Sequence, residues 1–124
     1  MSLMTIRLEL GRMAGVPQGD PRHAYEVVAP LDEHGHLDPA EWRQEKDRCS
    51  VRRFRPGEPE CRGNLRHCGR GWLLDYLPAR SDDNETLFRL DRHLIEKGLT
   101  VSVTEEDGVQ RPFRIAQVAP VKMS

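Results

Sequence analysis

The sequence lacks long apolar runs, closely paired cysteines and a net charge of either sign. Its 124 residues carry 19 basic and 20 acidic side chains, so the formal net charge is −1. This balance argues against a globally basic nucleic-acid-binding protein and against a highly charged disordered chain. No stretch approaches the roughly 18 apolar residues of a membrane-spanning helix, and the N-terminus lacks a basic region followed by an apolar core. We therefore expect neither a membrane span nor a secretory signal.

Cysteine is also scarce, since only Cys49, Cys61 and Cys68 are present and no two of them form a Cys-x-x-Cys pair. A disulfide scaffold needs a denser and even set of cysteines, so we expect a cytoplasmic protein. The length suits one domain, because domains cluster at about 100–150 residues. We predict a single β-rich domain over residues 1–124, with residues 1–3 a vector-derived start ahead of Met4.

Alternation of apolar and polar residues with a period of two is the clearest structural pattern, and it is typical of half-buried strands. A hairpin is expected where a Gly-Arg-Gly link joins two such runs. Residues 11–23 and 56–64 show no periodicity, which predicts loops. The candidate strands cover residues 4–10, 25–29, 51–55, 65–68, 72–77, 86–90, 99–104 and a return strand over 113–118.

One short helix is predicted over residues 39–48. Asp38 suits the N-cap, Pro39 the first helical position, and Glu41 the third, where a carboxylate is favourable. About seven short strands with one helix indicate a mainly β or β-rich α+β domain. We expect a small β-barrel, with a β-sandwich as the alternative.

The return strand has two irregular features. Pro112 cannot donate to a sheet ladder, so it is expected on an edge or at a bulge. Residues 116–118 break the alternation, which predicts a bulge or a change of sheet.

The stretches IRLELG (residues 6–11) and VRRFRPG (residues 51–57), with the closing hairpin of residues 98–120, resemble a family of short proteins common in GC-rich proteobacteria. A GC-rich coding bias also fits the 16 arginines against 3 lysines. The family has no assigned activity. The resemblance implies a cytoplasmic bacterial domain and carries over no site residue.

Arginine is concentrated in the segment from Arg48 to Arg70. This segment contains seven arginines and two glutamates, so its local net charge is +5. Guanidinium groups bind phosphate and carboxylate oxygens in pairs, and aromatic rings stack on bases. The alternative, which we call the mosaic alternative, is a solvent-exposed surface of mixed charges that binds nothing. It is expected if strand alternation places neighbouring arginines on opposite faces and nearby acids pair with them. The candidate contacts to an anion or to single-stranded nucleic acid are Arg52, Arg53, Arg55, Arg66, Arg70, Phe54 and Trp72.

His67 and Cys68 form a second candidate site, as metal ligands or as a reactive thiol next to basic residues. Structural zinc sites usually bring ligands in pairs with two to four intervening residues, and no such pair occurs here. A buried apolar role is the competing interpretation for a free cysteine. We therefore predict no metal and no cofactor.

Three function classes remain. The leading hypothesis is a non-enzymatic barrel module that binds a protein, a second copy of itself through an exposed strand edge, or a small anion. The second is a nucleic-acid contact through the arginine segment, with strong salt dependence. The third is a metal-binding or thiol enzyme that uses His67 and Cys68. No catalytic residue is predicted.

Overall fold

A computed structural model describes residues 3–68, 71–76, 85–88, 94–105 and 107–121. Within these residues the chain forms eight β-strands and one α-helix, which continues into a turn of 3-10 helix. The elements are β1 (Leu3–Leu10), β2 (Asp20–Pro30), α1 (Pro39–Glu45) with its 3-10 turn (Lys46–Arg48), β3 (Ser50–Phe54), β4 (Cys61–Cys68), β5 (Gly71–Tyr76), β6 (Glu85–Phe88), β7 (Thr100–Thr104) and β8 (Gln110–Pro120).

The sheet is closed and antiparallel. Each strand pairs with its neighbours in sequence, and β8 pairs with β1 to complete the barrel. The predicted mainly β fold is confirmed, and the barrel replaces the sandwich alternative. Every strand in the described part of the chain therefore has two neighbours, so the fully exposed edge invoked for dimer formation is absent from it. The dimer itself stays a prediction.

The barrel interior holds the core, as strand alternation requires. In β1 the side chains of Ile6, Leu8 and Leu10 are buried, while the polar residues between them face outward. Leu3, which belongs to the predicted vector-derived start, is also buried at the beginning of this strand. Among the residues that the structure describes, the largest fully buried side chains are those of Trp72, Tyr25, Phe113, Leu65, Leu74 and Ile115.

The irregular pairing predicted for the return strand is confirmed. Along β1 and β8, Arg7 pairs with Gln117 but Leu8 pairs with Ile115, so Ala116 is the extra residue of a β-bulge. Pro112 lies one residue beyond the last pair with β1, and its carbonyl accepts from the backbone N–H of Gly11 at 2.9 Å. The N–H group that proline lacks would point to the same side of β8. The residue pairing with β1 has ended there, so this position is a local edge of the sheet.

The predicted loops over residues 11–23 and 56–64 are wrong at their C-terminal ends. β2 begins at Asp20, and β4 begins at Cys61. In β4 the outward positions carry Arg62 and Asn64, and the inward position between them is Gly63. Because the inward residue is not apolar, the sequence shows no alternation at this point. The chain is extended here because it pairs with β3 and β5.

The predicted N-terminus of the helix is confirmed. The Asp38 carboxylate accepts from the backbone N–H groups of Ala40 and Glu41, and Pro39 opens α1. Trp42 holds the helix against the barrel, because its indole Nε1 donates to the carbonyl of Leu65 at 2.9 Å. Over the described residues, no helix has the length and apolar character needed to cross a membrane.

Candidate functional site

The residues of the predicted arginine segment lie on separate parts of the barrel. Arg52 and Phe54 contact each other on the outer face of β3. Arg55 reaches the end of the barrel, and Arg66 lies beside α1. Arg70 lies outside the described residues. The described candidates therefore do not form one surface.

The outer face of β3 is a network of paired charges. Arg52 donates to Glu60 at 2.8 Å and to Glu26 at 3.4 Å, and Arg7 of β1 donates to Glu26 at 3.0 Å. The guanidinium carbons of Arg52 and Arg7 lie 5.2 and 5.7 Å from the centre of the Phe54 ring, within the range of cation–π contacts. The hydrogen bond from Arg52 is the main reason that the pKa of Glu60 falls to about 2. On this face the arginines are bound to carboxylates, as the mosaic alternative predicts.

Trp72 belongs to the core of the barrel. It is 1% exposed, and its ring lies 4.6 Å from His67 and 5.9 Å from Trp42, measured between ring centroids. A base stacks only on a ring face that is open to solvent, so the buried position of Trp72 does not offer that contact.

The cysteine and histidine candidates do not assemble into a site within the described residues. Burial raises the pKa of the Cys49 thiol to about 11, which keeps it protonated and inert. Cys61 accepts a hydrogen bond from Arg53 at 3.3 Å. The side chain of Cys68 lies outside the described residues. Among those described, no group of three His, Cys, Asp or Glu side chains is placed to hold a metal ion.

Glu105 lies at the centre of a charged cluster that sequence reasoning missed. Its side chain is fully buried just after β7, and one carboxylate oxygen accepts from Arg111 at 2.8 Å. The other oxygen lies 2.8 Å from His23 Nε2 and 3.1 Å from Arg55, and it accepts a hydrogen bond from the Tyr25 hydroxyl. We call these five residues the barrel-end cluster. All of them except Tyr25 line a cavity of about 270 Å³.

The barrel-end cluster keeps Glu105 charged. Burial by itself disfavours the carboxylate and would raise its pKa, but hydrogen bonds from His23 and Tyr25 and the charges of His23 and Arg55 outweigh it. The result is a pKa of about 2, against an ordinary value of 4.5. In the sequence Glu105 is the first of three consecutive acids, so no local pattern distinguishes it from the two that follow.

The low pKa of Glu105 predicts acid sensitivity. Since its pKa falls from 4.5 to about 2 on folding, its contribution to stability is present above pH 4.5 and is lost as the pH falls through 2. The loss should be on the order of 2 to 3 kcal/mol. Urea unfolding between pH 7 and pH 2, compared with Glu105→Gln, isolates this contribution from that of the other acids. A constant difference between the two proteins across that range would contradict the prediction.

A cavity of about 560 Å³ forms a groove beside the end of β1. Arg12 from the β1–β2 connection and Arg114 from β8 both line it and are exposed. Arg114 points outward because its neighbours Phe113 and Ile115 are fully buried. We call this the arginine groove. Its other lining residues are Glu9, Leu10, Gly11, Gln18, Asp20, Pro21, Thr100 and Pro112.

The acids of the arginine groove are already paired with other residues. Glu9 accepts from Arg7 at 2.8 Å, and Asp20 accepts from Arg22 at 3.2 Å. Within the residues that the structure describes, neither Arg12 nor Arg114 has a carboxylate partner. The groove therefore has two guanidinium groups that form no ion pair with its own acids, although Glu9 lies opposite Arg114 in the pairing of β1 with β8. Both arginines lie outside the segment of high arginine density, and their isolation in the sequence gave no signal.

Comparison with known proteins gives no relative from which a function can be carried over. No family model matches the chain, and no curated protein or solved structure is significantly similar to it. The resemblance of residues 6–11, 51–57 and 98–120 to a bacterial family therefore stays a prediction.

Proposed function

We propose that this protein is a non-enzymatic binding module that holds a small anion in the arginine groove. The observation that carries the proposal is the contrast between Arg12 and Arg114, which have no described carboxylate partner, and the groove acids, each of which has its own arginine. An anion in the groove would supply the oxygens that these guanidinium groups lack. Charge-assisted hydrogen bonds of this kind are among the stronger polar contacts in proteins.

The volume and lining of the arginine groove indicate the class of ligand. Its volume of about 560 Å³ lies within the range of small-molecule sites. Two guanidinium groups suit a ligand with two anionic groups, such as a diphosphate or a di- or tricarboxylate. Thr100 and Gln18 add an uncharged hydroxyl and an amide for further hydrogen bonds.

The titratable groups of the groove favour binding over acid–base catalysis. The hydrogen bonds from Arg22 hold the pKa of Asp20 below its usual range. A general base at neutral pH works best with a pKa near the operating pH, and a carboxylate held in an ion pair does not have one.

Calorimetric titration with pyrophosphate and with citrate tests this proposal. Arg12→Gln and Arg114→Gln should each weaken binding by about tenfold or more, because each removes a charge-assisted contact. Arg43→Gln is the matched control, since Arg43 is exposed on α1 and does not line the groove. Absence of binding to both anions at millimolar concentration, or equal losses in all three variants, would refute the proposal.

A further inference from the structure

Glu9 and Arg114 lie directly opposite each other in the pairing of β1 with β8. Both side chains point outward, because the residues on either side of each are buried, and both line the arginine groove. Opposite residues on one face of an antiparallel pair have Cβ atoms about 5 Å apart, so a glutamate and an arginine placed there can form an ion pair. Within the residues that the structure describes, however, Glu9 forms its ion pair with Arg7.

Arg7 is held in place by three hydrogen-bond acceptors. Its Nε donates to Glu9 at 2.8 Å, and its terminal nitrogens donate to Glu26 at 3.0 Å and to the backbone carbonyl of Pro21 at 3.2 Å. Its guanidinium carbon also lies 5.7 Å from the centre of the Phe54 ring. Glu26, Pro21 and Phe54 belong to β2 and β3, on the side of β1 away from β8. The guanidinium group therefore draws the Glu9 carboxylate away from β8.

We propose, on the basis of the anion site proposed above, that Arg7 is a positioning residue of the arginine groove. It holds Glu9 away from Arg114 and so keeps the Arg114 guanidinium group accessible to the anion. Arg7 does not itself line the groove. Without Arg7, the nearest cationic side chain across the strand pair from Glu9 is Arg114. An anion then has to displace Glu9 before it can bind Arg114, and its affinity falls.

Arg7 is connected to the groove by a second route. Its terminal nitrogen binds the carbonyl of Pro21, which lines the groove, so loss of Arg7 could also shift the start of β2. The Glu9 carboxylate distinguishes the two routes. If Arg7 acts through Glu9, removal of that carboxylate abolishes the effect of replacing Arg7. If Arg7 acts through Pro21, the effect is the same with or without the carboxylate.

Calorimetric titration with pyrophosphate and with citrate across a double-mutant cycle tests the role of Arg7. Arg7→Gln should weaken binding by about fivefold, the upper end of what an exposed ion pair contributes. In the Glu9→Gln background, the same replacement should change the affinity less than about twofold. Arg52→Gln is the matched control, since Arg52 also binds Glu26 and contacts Phe54 but does not line the groove. It should leave the affinity within about twofold of that of the wild-type protein.

Equal losses on replacement of Arg7 in both backgrounds, or no loss in either, would overturn this role while leaving the anion site intact. If Arg7→Gln does not fold, Arg7→Met keeps the length of the side chain against Phe54, and the same outcomes apply. 

A measurement without ligand separates the role of Arg7 from the proposed function. The Nε–H signal of Arg114 in a heteronuclear NMR spectrum should shift when Arg7 is replaced, because Glu9 then pairs with Arg114, and it should not shift in the Glu9→Gln background. If the wild-type protein binds neither anion, the proposed function fails, and this signal still shows whether Arg7 holds Glu9 away from Arg114. An Arg114 signal that is unchanged by Arg7→Gln would overturn the role assigned to Arg7.

Discussion

Replacement of Glu105 with glutamine should lower the free energy of unfolding by about 3 to 5 kcal/mol, the usual cost of removing one partner from a buried ion pair. Gln keeps the size of the side chain but not its charge, so Arg55 and Arg111 lose the carboxylate that compensates them inside the barrel end. His23 and Tyr25 also lose a charged partner. Urea unfolding monitored by circular dichroism measures the change.

Asp107→Asn is the control for the Glu105 prediction. Asp107 also pairs with Arg111, at 2.9 Å, but its side chain is 47% exposed, and exposed pairs contribute up to about 1 kcal/mol. If Glu105→Gln does not fold, Tyr25→Phe removes only one hydroxyl from the barrel-end cluster and should cost about 1.5 to 3 kcal/mol. A Glu105→Gln protein as stable as Asp107→Asn would contradict the role assigned to the buried charge.

Replacement of Gly19 with alanine should destabilise the protein by about 3 kcal/mol or more. Gly19 has a φ of +69°, and an added Cβ would lie 2.4 Å from the carbonyl oxygen of Leu10. Alanine at position 19 is therefore disfavoured twice, by the left-handed backbone conformation and by the clash of its Cβ with the Leu10 carbonyl oxygen. Because Leu10 pairs with Asp20 at the end of β1, relief of the contact requires the start of β2 to move.

Gly15→Ala separates these two causes. Gly15 has a φ of +84° in the same connection between β1 and β2, but an added Cβ would meet nothing within 4 Å. It should cost about 1 to 2 kcal/mol, the penalty of the left-handed conformation alone. Thermal unfolding of both variants measures the difference, and equal losses would show that the contact with Leu10 relaxes freely. The groove residues Gln18 and Asp20 flank Gly19. We therefore expect the affinity for anions to fall in the Gly19→Ala variant but not in the Gly15→Ala variant.

Local chemistry made part of the fold predictable. The helix start at Asp38 depends on a side chain that caps N–H groups two and three residues later, so the sequence contains all its partners. The alternation that places Arg52 and Val51 on opposite faces of β3 is likewise local. The bulge at Ala116 was visible as a break in that alternation. Polar strands such as the start of β4 left no such pattern.

The candidate sites depended on contacts between distant parts of the chain. Charge density along the sequence selected the segment that contains Arg52, but in the barrel Glu26 and Glu60 bind this arginine, and Glu26 is 26 residues away. Arg12 and Arg114 gave no signal in the sequence, and they share a groove only because β8 pairs with β1.

Most element types, the helix cap and the alternating faces of the apolar strands could be read from the sequence, because they follow from propensity and from the period of side-chain direction over a few residues. Which charges are neutralised depends instead on how distant strands come together. Glu105 meets Tyr25 and His23 across separations of 80 and 82 residues, which barrel closure sets and no local pattern encodes. The strength of an ion pair depends on distance and burial, and both are properties of the closed barrel.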